Sequence, residues 1–212
     1  MRVVVKDASA DLVGKAFSAA AVELALASYP GFTLTAPPGR GSPYGIYRPA
    51  YVDRGEVTET VHVVGGADVV VDQPTDLATA PDVDIIGTTA APFPDSPTRC
   101  VPLGTFVHAR SGDKGGDANV GLWVGGARDD LRARRVEWLL HLVTPDQVLR
   151  MVPEAKDLDV EVFALPNLGG VNVLVRGLLG DGVAASTRFD PQAKALGEWL
   201  RSRHVHVPEE LL

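Results

Sequence analysis

Apolar residues recur along this chain with two periods, and the switches between them set out a series of elements. Residues 2–6 read as a strand. From Asp11 the spacing becomes helical, with Leu12, Ala16, Ala19, Val22 and Leu26 three and four residues apart. A core helix is predicted there, closed by Tyr29-Pro30-Gly31. Residues 32–35 form the next strand candidate, before a turn-rich run from Pro37 to Pro43. Residues 44–52 and 57–64 then read as two strands joined by the hairpin Asp53-Arg54-Gly55, with His62 on the solvent face of the second. Valines at 69 to 71 continue the pattern.

Prolines at 74, 81, 92, 94, 97 and 102 break the texture, with only residues 83–86 reading as a buried strand. The spacing therefore predicts a small α/β domain over 1–72, a proline-rich linker over 73–102 and a second domain over 103–212. In the second domain, residues 105–109 and 119–124 read as strands flanking a glycine-rich connection. Val136, Leu139, Leu140 and Val143 mark a helix, whose Arg128, Arg132, Arg134 and Arg135 are interleaved with Asp129, Asp130 and Glu137 and read as a solvated face. Thr144-Pro145-Asp146-Gln147 is a capping box that opens a short helix to about Glu154. Residues 160–165 alternate as a strand. Residues 171–179 fit strand or helix by pattern; a helix is preferred because Asn172 can cap it and Gly180-Asp181-Gly182 can end it. Residues 183–189 read as a last strand, and Asp190-Pro191 opens a final helix carried by Ala195, Leu196, Trp199 and Leu200.

Composition narrows the function classes. A net charge of −7 on 212 residues disfavours the broad basic surface that a phosphate backbone requires, so no nucleic-acid partner is expected. Cys100 is the single cysteine, which excludes an intrachain disulfide and a cysteine-rich metal knuckle. Lys6 interrupts any signal-peptide core, and the alanine-rich run around Glu23 is too short to span a bilayer. A cytoplasmic protein without membrane contact is the expectation.

The densest chemistry lies at Arg110-Ser111-Gly112-Asp113-Lys114-Gly115-Gly116-Asp117-Ala118-Asn119. Read as a turn, its glycines supply positive φ, its aspartates close Asx turns and Arg110 pairs with Asp117. Read as a site, glycine lets the backbone approach an anion while N–H groups, Lys114 and Arg110 donate to it. The order is not that of a Walker loop, and Ser111 lacks a nucleophile elbow. His204 and His206 share one side of an extended segment, but no spacing recruits further ligands, so no metal is expected.

The second domain resembles the C-terminal ferredoxin-like domain of the acyclic terpene utilisation (AtuA-type) proteins. The carrying residues are Ala109 to Gly115 with Ala118-Asn119-Val120-Gly121, then Leu165-Pro166-Asn167-Leu168 with Val171-Asn172-Val173 and Leu178-Leu179-Gly180. A closing Arg188-Phe189-Asp190-Pro191-Gln192-Ala193-Lys194 has alanine where the family's motif has glycine. Residues 1–72 are similar, more loosely, to the end of the family's large N-terminal domain. The resemblance implies an α+β fold, with a ferredoxin-like antiparallel sheet carrying helices on one face. It also implies a place in the breakdown of terpenoid or branched acids, alongside coenzyme A thioesters and biotin-dependent carboxylation; no cofactor is expected. Asp113 and Lys114 are then the candidate catalytic pair. Arg110, Ser111, Gly112, Gly115, Asn119, Asn167, Asn172 and Lys194 are candidates to hold a small anionic, acyl-CoA-type ligand. The segments bearing Asn167, Asn172 and Lys194 are expected to converge on the 110–119 loop. A partner chain supplying the rest of the N-terminal domain, or self-association through residues 1–72, is expected. The alternative is a non-catalytic assembly subunit whose glycine-rich loop packs on a partner.

Overall fold

A computed structural model describes residues 3–27, 30–34, 36, 38–74 and 93–212. The elements run α1 (Lys15–Leu26), β1 (Glu59–Val61), β2 (Val69–Val71), β3 (Thr98–Pro102), β4 (Val107–Lys114), β5 (Asp117–Val124), α2 (Asp130–Leu142), α3 (Pro145–Met151), β6 (Val160–Leu165), β7 (Gly170–Val175), α4 (Leu196–Arg201) and β8 (His204–Pro208). The fold is α+β, as expected, and every strand pair among these residues is antiparallel.

The centre is a four-stranded sheet in the order β4-β5-β7-β6. Strand alternation sends Ala118, Val120, Leu122 and Val124 of β5 and Val171, Val173 and Val175 of β7 to one face, where all are buried. Helices α2, α3 and α4 pack on that face, and Trp138, Leu139, Val148, Met151, Leu196 and Leu200 complete a single core. Burying each of the valine, leucine and methionine side chains contributes about 1.5–3 kcal/mol. The helix starts follow local chemistry. Asp129 accepts from the Arg132 backbone N–H at 2.8 Å, and the Thr144 hydroxyl accepts from that of Gln147 at 3.2 Å, with Pro145 at the first helical position.

Four expectations in the second domain are corrected. Residues 170–175 are strand β7, not part of a helix, because they lie between β5 and β6 and exchange backbone hydrogen bonds with both. Asn172 therefore caps nothing and sits mid-strand. The 110–119 run is not a long loop: β4 continues to Lys114 and β5 begins at Asp117, leaving Gly115 and Gly116 as a two-residue turn. Gly115 has φ +65°, the positive value such turns require at their first position. Residues 183–189 form turns rather than a strand, and β4 starts only at Val107, after a 3₁₀ turn at Leu103–Thr105. The stretch read as a linker contains β3, whose partner β8 lies a hundred residues away, so no local pattern reveals it.

Residues 3–74 behave differently. The predicted helix exists as α1, but it is no core helix: none of its residues is buried, and Leu26 is 90% exposed. Residues 3–7, 32–34 and 44–53 are not strands, and β1 pairs with β2 rather than with 44–52. His62 is exposed, as expected, and its Nδ1 lies 2.9 Å from Asp68 Oδ2 across that hairpin. The strand predicted at 83–86 lies outside the described residues.

Candidate functional site

The site motifs fall on β4, and β4 has two faces. Ala109, Ser111 and Asp113 turn toward the helices, in register with Leu122, Val120 and Ala118. His108, Arg110, Gly112 and Lys114 belong to the opposite face, which none of α2, α3 and α4 covers. A run that reads as one loop in sequence is thus divided by the sheet itself.

On the helix side, Ser111 is a clamp. Its hydroxyl accepts from the Gly197 N–H at 2.8 Å and donates to the Lys194 carbonyl at 3.2 Å, tying the start of α4 to the edge strand. Asp190 holds the same turn, accepting from the Lys194 and Ala195 N–H groups at 3.0 and 2.9 Å. The turn forces Ala193 to φ +53°, the conformation the glycine of the family's motif would adopt without strain. Glycine-like geometry has been kept, with a buried methyl group added.

On the open side, register places Arg110, Gly121, Asn172 and Phe163 in one row across the sheet, with Gly112, Asn119, Leu174 and Glu161 in the next. Asn119 Nδ2 donates to Asn172 Oδ1 at 3.3 Å. Arg110 is exposed, and its guanidinium has no hydrogen-bond or ion-pair partner among the described residues. Its surroundings are low, because a Cβ at Gly112 would meet nothing within 4 Å and one at Gly121 only the Arg110 carbonyl oxygen at 3.8 Å. In the row beyond, His108 stacks on Trp123 with ring centroids 5.8 Å apart. An unpaired guanidinium beside two amides on a cleared surface is suited to a carboxylate or phosphate, which it can take bidentately.

At the hairpin tip, Asp117 is committed to structure. It accepts from the Gly177 N–H at 2.8 Å and from Arg176 at 3.1 Å, while Arg176 also donates to Glu161 at 2.6 Å. Glu161 first and Asp117 second raise the Arg176 pKa above its ordinary value. Arg110 does not pair with Asp117. The tip, the turn at Gly180–Ala184 and residues 45–49 line an open cleft of about 1220 Å³ that includes Asp113, Lys114 and Arg48. Arg48 reaches Asp181 at 3.4 Å. Asp113 and Lys114, as successive strand residues, send their side chains to opposite faces, and Lys114 Nζ bonds the Asp113 main-chain carbonyl at 3.1 Å rather than its carboxylate.

Of the expected convergence, two parts hold in space: Asn172 meets Asn119, and the Lys194 backbone meets Ser111. These are on opposite faces. Asn167 belongs to a 3₁₀ turn, Pro166–Leu168, at the far end of the sheet, about 20 Å from Lys114 at ~3.3 Å per residue along β4. Sequence reasoning missed His108, Trp123 and Arg48. The first two share alternation with Arg110 and Gly121, a signal hidden once 110–119 is read as a loop. Arg48 arrives from a segment with no local motif. His204 and His206 are exposed on β8, which pairs with β3.

Among the described residues, no helix is long and apolar enough to cross a membrane. The family model described as AtuA ferredoxin-like domain matches residues 101–206, half of the chain. No curated protein and no solved structure matches it.

Proposed function

The chain belongs to the AtuA ferredoxin-like domain family, and from that premise we propose that it forms part of an enzyme breaking down acyclic terpenoid or branched acids as acyl-CoA-type anions. The observation that carries this reading is the unpaired Arg110 guanidinium beside the Asn119–Asn172 pair, on a face cleared by Gly112 and Gly121. An exposed arginine is ordinarily mobile and solvated. Here it stands among groups that supply further donors and acceptors to an anion, with Lys114 two side chains along the same face. Asp113, half-buried at the cleft, is the group available as a base, acting from the other side of the hairpin tip.

Calorimetric titration with a branched acyl-CoA thioester tests the reading. Arg110→Ala should weaken binding by about 1.5–3 kcal/mol, the range for a charge-assisted bond, with the unfolding midpoint unchanged. Equal affinity in the two proteins would sink it.

A non-catalytic assembly role is the second reading, favoured by one observation. Val3, Leu12, Val22, Leu24, Leu26, Tyr47, Tyr51 and Val64 are all exposed, an apolar surface that a partner chain or a second copy would cover. Sedimentation of the pure chain as a monomer that captures no partner from its host extract would count against that role.

A further inference from the structure

Gly121 is the floor of a shallow well on the open face of the sheet. Its neighbours along β5 are Asn119 and Trp123, and its neighbours across the sheet are Arg110 and Asn172. A Cβ at the floor would find open space above it, with only the Arg110 carbonyl oxygen within 4 Å. His108 stacks on one side of the Trp123 indole at the rim, and 36% of Trp123 is exposed. The bond from Asn119 Nδ2 to Asn172 Oδ1 leaves Asn119 Oδ1 as an acceptor and Asn172 Nδ2 as a donor on the two bonded amides. A donor and an acceptor, an aromatic ring and a free guanidinium match three parts of one molecule: the hydrogen-bonding edge of a nucleobase, its π-face and a phosphate.

We infer that this well binds the base of a mononucleotide, an adenine nucleotide being the probe of choice, with Arg110 on its phosphate. The inference rests on the anion reading above and assigns the other end of that ligand, since coenzyme A carries an adenine nucleotide. Gly112 keeps the face clear between Arg110 and Lys114, so phosphates beyond the first can run along β4 toward the hairpin tip. A nucleic-acid strand is disfavoured, because its run of phosphates needs many cationic contacts and this chain carries a net charge of −7.

The test titrates the full chain with adenosine monophosphate, ribose 5-phosphate and a short oligoadenylate, followed by calorimetry. Adenosine monophosphate should bind at least about ten-fold more tightly than ribose 5-phosphate. Trp123→Ala should remove about ten-fold of that affinity, within the range measured for a base stacked on an aromatic ring. Gly121→Val should abolish binding without lowering the unfolding midpoint, since valine suits a strand interior and its Cβ would meet only the Arg110 carbonyl oxygen, at 3.8 Å. Equal affinity for the two monophosphates overturns the inference; if Arg110→Ala still weakens both, the anion reading survives alone. If Arg110→Ala changes nothing while Trp123→Ala and Gly121→Val abolish adenosine monophosphate binding, the anion reading fails and the base-binding well stands. Tighter binding of the oligoadenylate than of the monophosphate would replace the mononucleotide by nucleic acid and overturn the proposal.

Discussion

Residues 3–74 and residues 93–212 both carry runs of valine, leucine and alternating polar residues, yet they end in different states. In the second region α2, α3 and α4 close over one face of a four-stranded sheet, and Val107, Val120, Leu139, Val143 and Val173 are completely buried. In the first, Gly14 is the only described residue that is buried, the strands are three residues long, and Val22, Leu26 and Val64 face solvent. An amphipathic pattern states which face wants cover; it does not supply the cover. A hairpin without a third strand or a helix against it is at best marginal in water, whereas each strand of the larger sheet is stabilised by neighbours on two sides or by a helix above.

The widest separation between the regions should appear in matched truncations. Leu139→Ala removes a fully buried side chain from the core and should cost about 2–5 kcal/mol in urea unfolding; Leu26→Ala should change stability by less than about 0.5 kcal/mol. Comparable losses at the two positions would show that α1 packs against something in solution. A smaller contrast is expected at the turns. Gly115→Val forces a β-branched residue to φ +65° between two long strands and should cost about 2 kcal/mol, while Gly65→Ala at φ +77° should leave the global midpoint unmoved.

Ion pairs sharpen the contrast further. Asp117→Ala strips a carboxylate from the Gly177 N–H and should cost about 1.5 kcal/mol. Asp68→Ala, which removes an exposed partner of His62, should fall within about 0–1 kcal/mol. One further effect runs the other way. Ala193→Gly relieves a left-handed alanine and should raise stability by about 1 kcal/mol, less what the buried methyl group contributes. A destabilised glycine variant would mean that the methyl packing outweighs the backbone strain.

Several elements were readable from short stretches because local chemistry and tertiary role agreed. β6 (Val160–Leu165) alternates cleanly and stops at a proline, and α3 begins where Thr144, Pro145 and Gln147 say it should. The site was half readable. Arg110 and Asn119 stood out in a run dense in charged residues and glycine, Asn172 came with the family resemblance, and two of them do meet. Their arrangement was not readable, because reading 110–119 as a loop discards the alternation that assigns Arg110 and Gly112 to one face and Ser111 and Asp113 to the other. The same misreading hid Trp123 and His108.

The sequence by itself determined the α+β class, the Thr144 cap of α3 and the family, since these depend on spacing within a few residues or on motifs in order. Only the tertiary structure decided that residues 170–175 are a strand, that β3 pairs with β8 a hundred residues on, and that Asn167 stands far from Lys114. The physical reason is that a strand is completed by hydrogen bonds to chains remote in sequence. Asn172 has the local chemistry of a cap, but β5 and β6 on either side of it supply the backbone partners that a helix would have had to make for itself.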